Sequence, residues 1–246
     1  GFVNNGQGFE ETIKCGIVAS INHNQIDYSK VIYSDKFWAN EPYQTVTYAS
    51  AHDNYTLWDK LCITTKGESE EERIKMNKLI SAIILTSQGI SFIHAGEEML
   101  RTKRDEKGNL VENSYNSSDL VNKLDWERKE KYSDVFEYYK SLINLRKNHK
   151  AFRMDNADDI RENLRFLDVK ERNVVAYTID CSSLNDKFKK IMVVFNANKD
   201  KLNINLPSGI WKLIANENEI NENGIEENIT NNILVSGRSA NILIIE

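Results

Sequence analysis

No stretch of the chain is apolar for long enough to cross a membrane as a helix, and the opening residues, GFVNNGQGFEE, lack the basic and apolar regions of a secretion signal. A positive excess is missing too. The 32 Lys and Arg stand against 37 Asp and Glu, a formal charge of −5, which argues against nucleic acid or an anionic membrane as the main partner. The 3 cysteines, Cys15, Cys62 and Cys181, are odd in number, widely spaced and free of any CxxC pair. That excludes a cysteine zinc site and a disulfide framework, and all three read as buried, inert thiols. The chain begins with Gly1 instead of Met, so it is expected to start inside a longer protein.

With 246 residues and ordinary apolar content, the chain has enough sequence for one substantial core or two smaller ones. The pattern changes character once. Up to about Phe152, strands alternate with helices; beyond Ala157 only strands are evident. Phe9, Ile13, Ile17 and Ile21 recur at helical spacing, and Asn22 to Tyr43 is a long polar and aromatic excursion. Thr45 to Ala49 reads as a strand. Ser69 with Glu72 forms a capping box opening a helix whose stripe is Met76, Leu79, Ile80, Ile83 and Ile84, ending before a left-handed Gly89. ISFIHAG reads as a strand buried on both faces, followed by a polar loop from about Arg101 to Asn122. A second helix begins near Ser133, with Val135, Tyr139, Leu142 and Ile143 as its stripe and a basic last turn. Strand, helix, strand, helix with long loops after the strands predicts a parallel sheet whose function sits at the C-terminal strand ends.

The tail is different. NLRFLDV, NVVAYTI, KIMVVFN, KLNINL, IWKLI and ANILIIE are short β-branched or aromatic runs separated by turn residues, which predicts an antiparallel β-sandwich. It carries no ionisable cluster that suggests chemistry and is assigned a structural role, with carbohydrate binding as the weaker option.

The stretch TVTYASAHDNYTLWDKL places His52, Asp53 and Asn54 where the first predicted strand ends. An imidazole, a carboxylate and an amide side by side suit the vicinal hydroxyls of a polyhydroxylated substrate, and Tyr55 or Trp58 would offer an apolar face to a sugar ring. The competing reading makes Asp53 the cap of the next helix and His52 a satisfied interior histidine. The residues alone leave both open.

Four blocks in order resolve more. YASAHDNYTLWDKL, QGISFIHAGEEMLRTK, NSYNSSDLVNKLDW and YYKSLINLRKNHKAFRM resemble successive blocks of the type I pullulanases, α-1,6-glucan debranching enzymes of glycoside hydrolase family 13. The resemblance covers Gly1 to about Met154, and the all-β tail fits the family's C-terminal domain. It implies the C-terminal part of a (β/α)8 TIM barrel over residues 1–154, with Thr45–Ala51 and Gly89–Ala95 as strands seven and eight, followed by an antiparallel β-sandwich over 155–246. It implies that Asp53 is the transition-state-stabilising aspartate and that His52 hydrogen-bonds the same sugar ring. Asn54, Arg101, Asn113, Tyr115, Asn116 and Asp119 are then expected to contact substrate. Ser118 stands where the family often has Pro, and Glu97 where it often has Gln. Adjacent Glu97 and Glu98 are not expected to be a catalytic pair.

A retaining glycosidase needs a nucleophilic carboxylate and an acid/base carboxylate about 5 Å apart. The family's segments carrying them are not found here, so the chain is expected to be inactive alone and to need the preceding part of its protein as partner. Partial barrels expose strand edges, which predicts self-association. The expected partner molecule is an α-glucan, with neither nucleic acid nor membrane. No cofactor and no metal site are expected, calcium being left open together with the compartment. Other readings are an isoamylase or amylopullulanase of the same superfamily, or a glucan-binding module using Trp38, Tyr43 and Trp211.

Overall fold

The computed structural model describes residues 1–246. Its first half is helical around a short parallel strand pair. Helix α1 (Glu10–Ile17) turns Cys15 and Ile17 inward and stops where Ala19 and Ser20 adopt φ of 56° and 54°, so Ile21 lies beyond it. Strand β1 (Val46–Thr47) leads through a loop to α2 (Leu57–Thr64), α3 (Glu70–Thr86) and strand β2 (Ile90–Ser91). Val46 lies opposite Ile90 and Thr47 opposite Ser91 in parallel register. Both strands are shorter than expected. The run through β2 is not buried on both faces either: Ile90 and Phe92 are exposed beside Val46 and Tyr48, because β1 and β2 form a sheet of their own.

Ser69 opens α3 by accepting from the Glu72 N–H at 3.3 Å. The Glu72 carboxylate is engaged by Lys75 and Arg238 instead, so the reciprocal half of the capping box does not form. Gly89 has φ of 85°, and a Cβ there would stand 2.5 Å from Thr45 Oγ1. Helices α4 (Asp119–Asn122) and α5 (Glu127–Lys131) precede α6 (Ser133–Asn148), which packs along α3 through Val135, Tyr139 and Leu142 and leaves Ile143 exposed.

Arg146, from the basic last turn of α6, has a larger task than complementing the dipole. Its guanidinium donates to the carbonyl oxygens of Leu85, Ser87, Gly89 and Phe152 at 3.1, 2.6, 2.7 and 2.5 Å. The first three are carbonyls left open where α3 ends and the chain turns into β2, and Phe152 ends the turn that follows α6. Burial pulls the Arg146 pKa down to about 10, still charged at neutral pH. Arg146→Met keeps most of the packing and removes all four bonds, so urea unfolding is expected to show a loss of about 3 kcal/mol.

Beyond residue 154 the chain is not purely β. Asn156 caps α7 (Ala157–Asn163), accepting from the Asp159 N–H at 2.8 Å. With 7 residues, the helix is too short to show a helical period, and so only strands were evident in the sequence beyond Ala157. Strands β3 (Leu164–Phe166), β4 (Val174–Asp180), β5 (Lys190–Asn196), β6 (Leu202–Asn205), β7 (Trp211–Ala215), β8 (Glu226–Ile229), β9 (Asn232–Val235) and β10 (Ser239–Ile245) follow. Six of them form an antiparallel sheet in the order β3-β4-β5-β10-β7-β8, and β6 pairs with β9 in a ribbon.

The six-stranded sheet is apolar on both faces, which explains its unbroken hydrophobic runs. Tyr177, Ile179, Val193, Phe195, Ile242 and Ile244 share one core with α1, α3 and α6, while Met192, Val194, Leu213 and Leu243 pack on Ile204, Ile233 and Val235 of the ribbon. The core therefore runs across residue 154 without interruption. Two ionic clusters span the same junction. The buried His149 ring lies 2.6 Å from Asp186 Oδ1 and 3.3 Å from Glu222 Oε2, stacked on Phe188. Arg238 reaches Glu68 and Glu72, each at 2.7 Å. No helix is long and apolar enough to cross a membrane.

Candidate functional site

The loop leaving β1 presents the residues singled out in the sequence. The side chains of His52 and Asp53 are 79% and 66% exposed, with His52 Nε2 3.6 Å from Asp53 Oδ1. Asp53 does not cap α2, and His52 is not an interior histidine. Thr56 is the cap, its hydroxyl accepting from the Asp59 N–H at 3.1 Å. Asn54 sits at φ 60° and its backbone N–H donates to Asn113 Oδ1 at 2.8 Å, so the loop after β1 is tied to the long loop after β2. Asn113 itself is left-handed, at φ 51°.

The chain leaving β2 turns at Gly96, whose φ is 95° and where a Cβ would meet Arg101 side-chain atoms at 2.8 Å. His94 lies just before the turn, its Nε2 3.3 Å from Arg101 Nη1. Burial, followed by the charges of Arg101, Lys103 and His52, pulls the His94 pKa down to about 4, so this ring is neutral at pH 7. Glu98 accepts from the Gly96 N–H at 3.0 Å and holds the turn. Glu97 is buried and accepts from the Ser50 hydroxyl at 2.5 Å. Burial pushes its carboxyl up to about 7.

Arg101, expected at substrate, spends its guanidinium inside the protein. Beyond His94, it donates to Ala95 O at 3.1 Å and to Asn122 O. Asn113 touches the loop of Asp53, whereas Tyr115 (80% exposed), Asn116 and Asp119 face solvent farther along the same segment. Trp58 is in the core with Tyr132, Tyr139 and Leu100 and cannot stack on a sugar; Trp211 is fully buried as well. Trp38 and Tyr43 are exposed, on the Asn22–Tyr43 excursion. Cys15 and Cys181 are buried and Cys62 half-buried, and burial raises all three thiol pKa values. No group of three or more His, Cys, Asp or Glu is arranged to hold a metal ion.

Sequence reasoning missed the framework under these residues. Asp59, fully buried on α2, accepts from the Thr102 hydroxyl and from the Lys103 N–H at 2.8 Å. The Lys103 ammonium donates to Ser114 Oγ at 2.6 Å, and Ser114 donates to Asn122 Oδ1 at 2.7 Å. Asn122 Nδ2 returns to the carbonyls of Ser114 and Ser117. The polar loop is thus an ordered network hung from α2. The available signal was an Asp beside the apolar LWDKL positions, read only as part of a helical turn.

Comparison with known proteins gives the family. Residues 160–219 match the family described as "Pullulanase, all-beta domain". The chain is 38% identical over 204 residues to the pullulanase of Bacillus subtilis (strain 168), a match covering 82% of this chain and 27% of that protein. The crystal structure of pullulanase type I from Bacillus subtilis str. 168 complexed with maltose superposes with a TM-score of 0.88 at 34% identity, covering 100% of this chain and 32% of that one. The Paenibacillus barengoltzii pullulanase complexed with maltohexaose and α-cyclodextrin gives 0.84 at 40% identity, covering 100% and 35%.

The fold of the chain is thus shared with glycoside hydrolases. This chain belongs to the pullulanase family and matches the C-terminal part of its members. It spans 27% of the length of the Bacillus subtilis protein.

Proposed function

We propose that this chain forms one side of the active-site mouth of an α-1,6-glucan debranching hydrolase. In this reading β1 and β2 are the seventh and eighth strands of a (β/α)8 barrel, and the sheet with its ribbon is the C-terminal sandwich domain. Asp53 is the carboxylate that stabilises the transition state and His52 binds the same sugar. The observation that carries the proposal is the exposed His52–Asp53 pair in the loop leaving β1, which Asn54 anchors to Asn113, in a chain similar to pullulanases along its whole length.

The chemistry is consistent with that role. Hydrolysis passes through an oxocarbenium-like state, and an acceptor that grips the ring hydroxyls more tightly there than in the ground state lowers the barrier. The nucleophile and the acid/base are contributed by preceding polypeptide, which also covers the exposed face of Val46, Tyr48, Ile90 and Phe92. Arg101 organises the mouth, while Asn54, Asn113, Tyr115, Asn116 and Asp119 line the approach for glucan.

The test is release of reducing ends from pullulan by the 246-residue chain and by the complete enzyme. Turnover by the complete enzyme with silence from the chain is expected. Sustained turnover by the chain would mean that its own carboxylates suffice. A complete enzyme that cleaves linear amylose but not pullulan would move the assignment to another member of the superfamily. In light scattering, the chain alone is expected to self-associate through its exposed strand pair, and a compact stable monomer would count against the partial barrel.

A further inference from the structure

Glu97 is buried, titratable and bonded directly to the segment that carries His52 and Asp53. Glu97 stands on the chain leaving β2, where its backbone N–H donates to His94 O at 3.0 Å, and its carboxylate accepts from the hydroxyl of Ser50, two residues before His52, at 2.5 Å. One carboxylate therefore joins the chain leaving β1 to the chain leaving β2. We propose that Glu97 is a positioning residue whose bond from the chain leaving β2 to Ser50 holds Asp53 and His52 in the geometry that hydrolysis requires. The inference rests on the reading of Asp53 as the transition-state stabiliser.

The Ser50 hydroxyl is a donor, so the ionised carboxylate holds it by a charge-assisted bond and the protonated acid does so less well. The other charged or titratable groups around it come from every neighbouring element. Glu98 is on the same turn, His52 lies beyond Ser50, His94 is at the end of β2, and Tyr139 of α6 feels both glutamates. Arg101 and Lys103 act on His94 and form no ion pair with Glu97. Burial pushes the Glu97 carboxyl up to about 7, with Glu98 adding to the rise, so the tie between the strand ends loosens as pH falls through that value.

The stability consequence has the opposite sign. Glu97 binds its proton more tightly folded than unfolded, so stability is lost as pH rises from 4.5 through about 7. A residue kept only for stability would not behave in this way. Glu97→Gln, neutral at every pH, is expected to flatten that slope and at the same time to hold activity at its acid limit.

Two measurements decide it. In the 246-residue chain, carboxyl-carbon NMR is expected to show Glu97 titrating near 7, with the amides of Asp53 and Asn54 moving at the same midpoint. The amide measurement is made in a His52→Gln background, so that no imidazole adjoins Asp53, and there Glu97→Gln should abolish the step. Amides of Asp53 and Asn54 that stay still while Glu97 titrates would overturn the proposal.

In the complete enzyme, activity on pullulan is expected to rise through the same pH. Glu97→Gln should lower kcat about tenfold above that pH, leave KM nearly unchanged and remove the pH step. A Glu97→Gln enzyme with the parent's rate and profile would also overturn it. Ser50→Ala retains the carboxyl but removes a bond that lowers its pKa, so the midpoint should move up; an unmoved midpoint counts against the tie. Failure of the unsubstituted enzyme to cleave pullulan would overturn the functional reading instead, and the NMR result would still decide whether Glu97 positions Asp53.

Discussion

Asp53→Asn in the complete enzyme is expected to lower kcat on pullulan about a thousandfold, with KM within a few-fold of the parent. The substitution preserves shape and removes the negative charge. That charge matters most when positive character develops on the sugar, so the loss appears in turnover and not in ground-state binding. The fold should be indifferent. Asp53 is 66% exposed and its one ionic neighbour is His52, similarly exposed at 3.6 Å, a pairing worth little to stability. Unfolding midpoints of the two enzymes should coincide. A variant retaining more than about a tenth of the parent kcat would remove Asp53 from the transition state.

His52→Ala provides the contrast. An imidazole that binds the sugar in both ground and transition states should raise KM more than it lowers kcat. The pair of variants therefore separates the roles assigned to two adjacent residues.

The polar segments after β1 and β2 were legible in the sequence because each follows a change of chemistry. The run TVTYA gives way to HDN, and ISFI gives way to HAGEE, so two strands followed by polar loops were read from the pattern, but β1 closes at Thr47 and β2 at Ser91, earlier than expected, and the residues alone left the exposure of His52 and Asp53 open. What lies beneath the mouth was not legible. Asp59 and Lys103 are 44 positions apart along the chain and meet only when α2 packs under the long loop. Arg101 was expected at substrate from the family resemblance, and local sequence says nothing of the carbonyls it reaches at Ala95 and Asn122. Trp58 looked available for stacking, yet its position at the start of α2 turns it into a pocket with Tyr132 and Leu100. In the tail, alternating strands were clear, but the pairing of β10 between β5 and β7 is a long-range choice that strand patterns do not encode. Nor does any local signal reveal that one face of that sheet completes the core of the helical half.

That shared core makes the junction between the halves the place where one residue should have the largest effect on stability. Arg238 lies in the turn between β9 and β10, its side chain fully buried, and donates to Glu68 and Glu72 at 2.7 Å each. The turn is seated by Gly237, where a Cβ would fall 1.9 Å from the carbonyl oxygen of Lys199, and by the Arg238 N–H donating to Asn198 O at 2.8 Å. Arg238→Ala strands two carboxylates beside a buried gap, and unfolding in urea is expected to show a loss of about 3 kcal/mol or more. Arg238→Lys should recover only part of it, because one ammonium cannot match the fork that spans both acids. The hydrogen bonds from Arg238 and then Lys199 hold the Glu68 pKa at about 2, below its ordinary 4.5. A depressed carboxyl contributes stability above its unfolded pKa and loses it as pH falls through the folded value. The parent should therefore lose this contribution between pH 4.5 and about 2, while Arg238→Ala, having already lost it, should show a much shallower acid limb. Equal acid limbs in the two proteins would mean that the cluster is too well hydrated to join the helical half to the sheet.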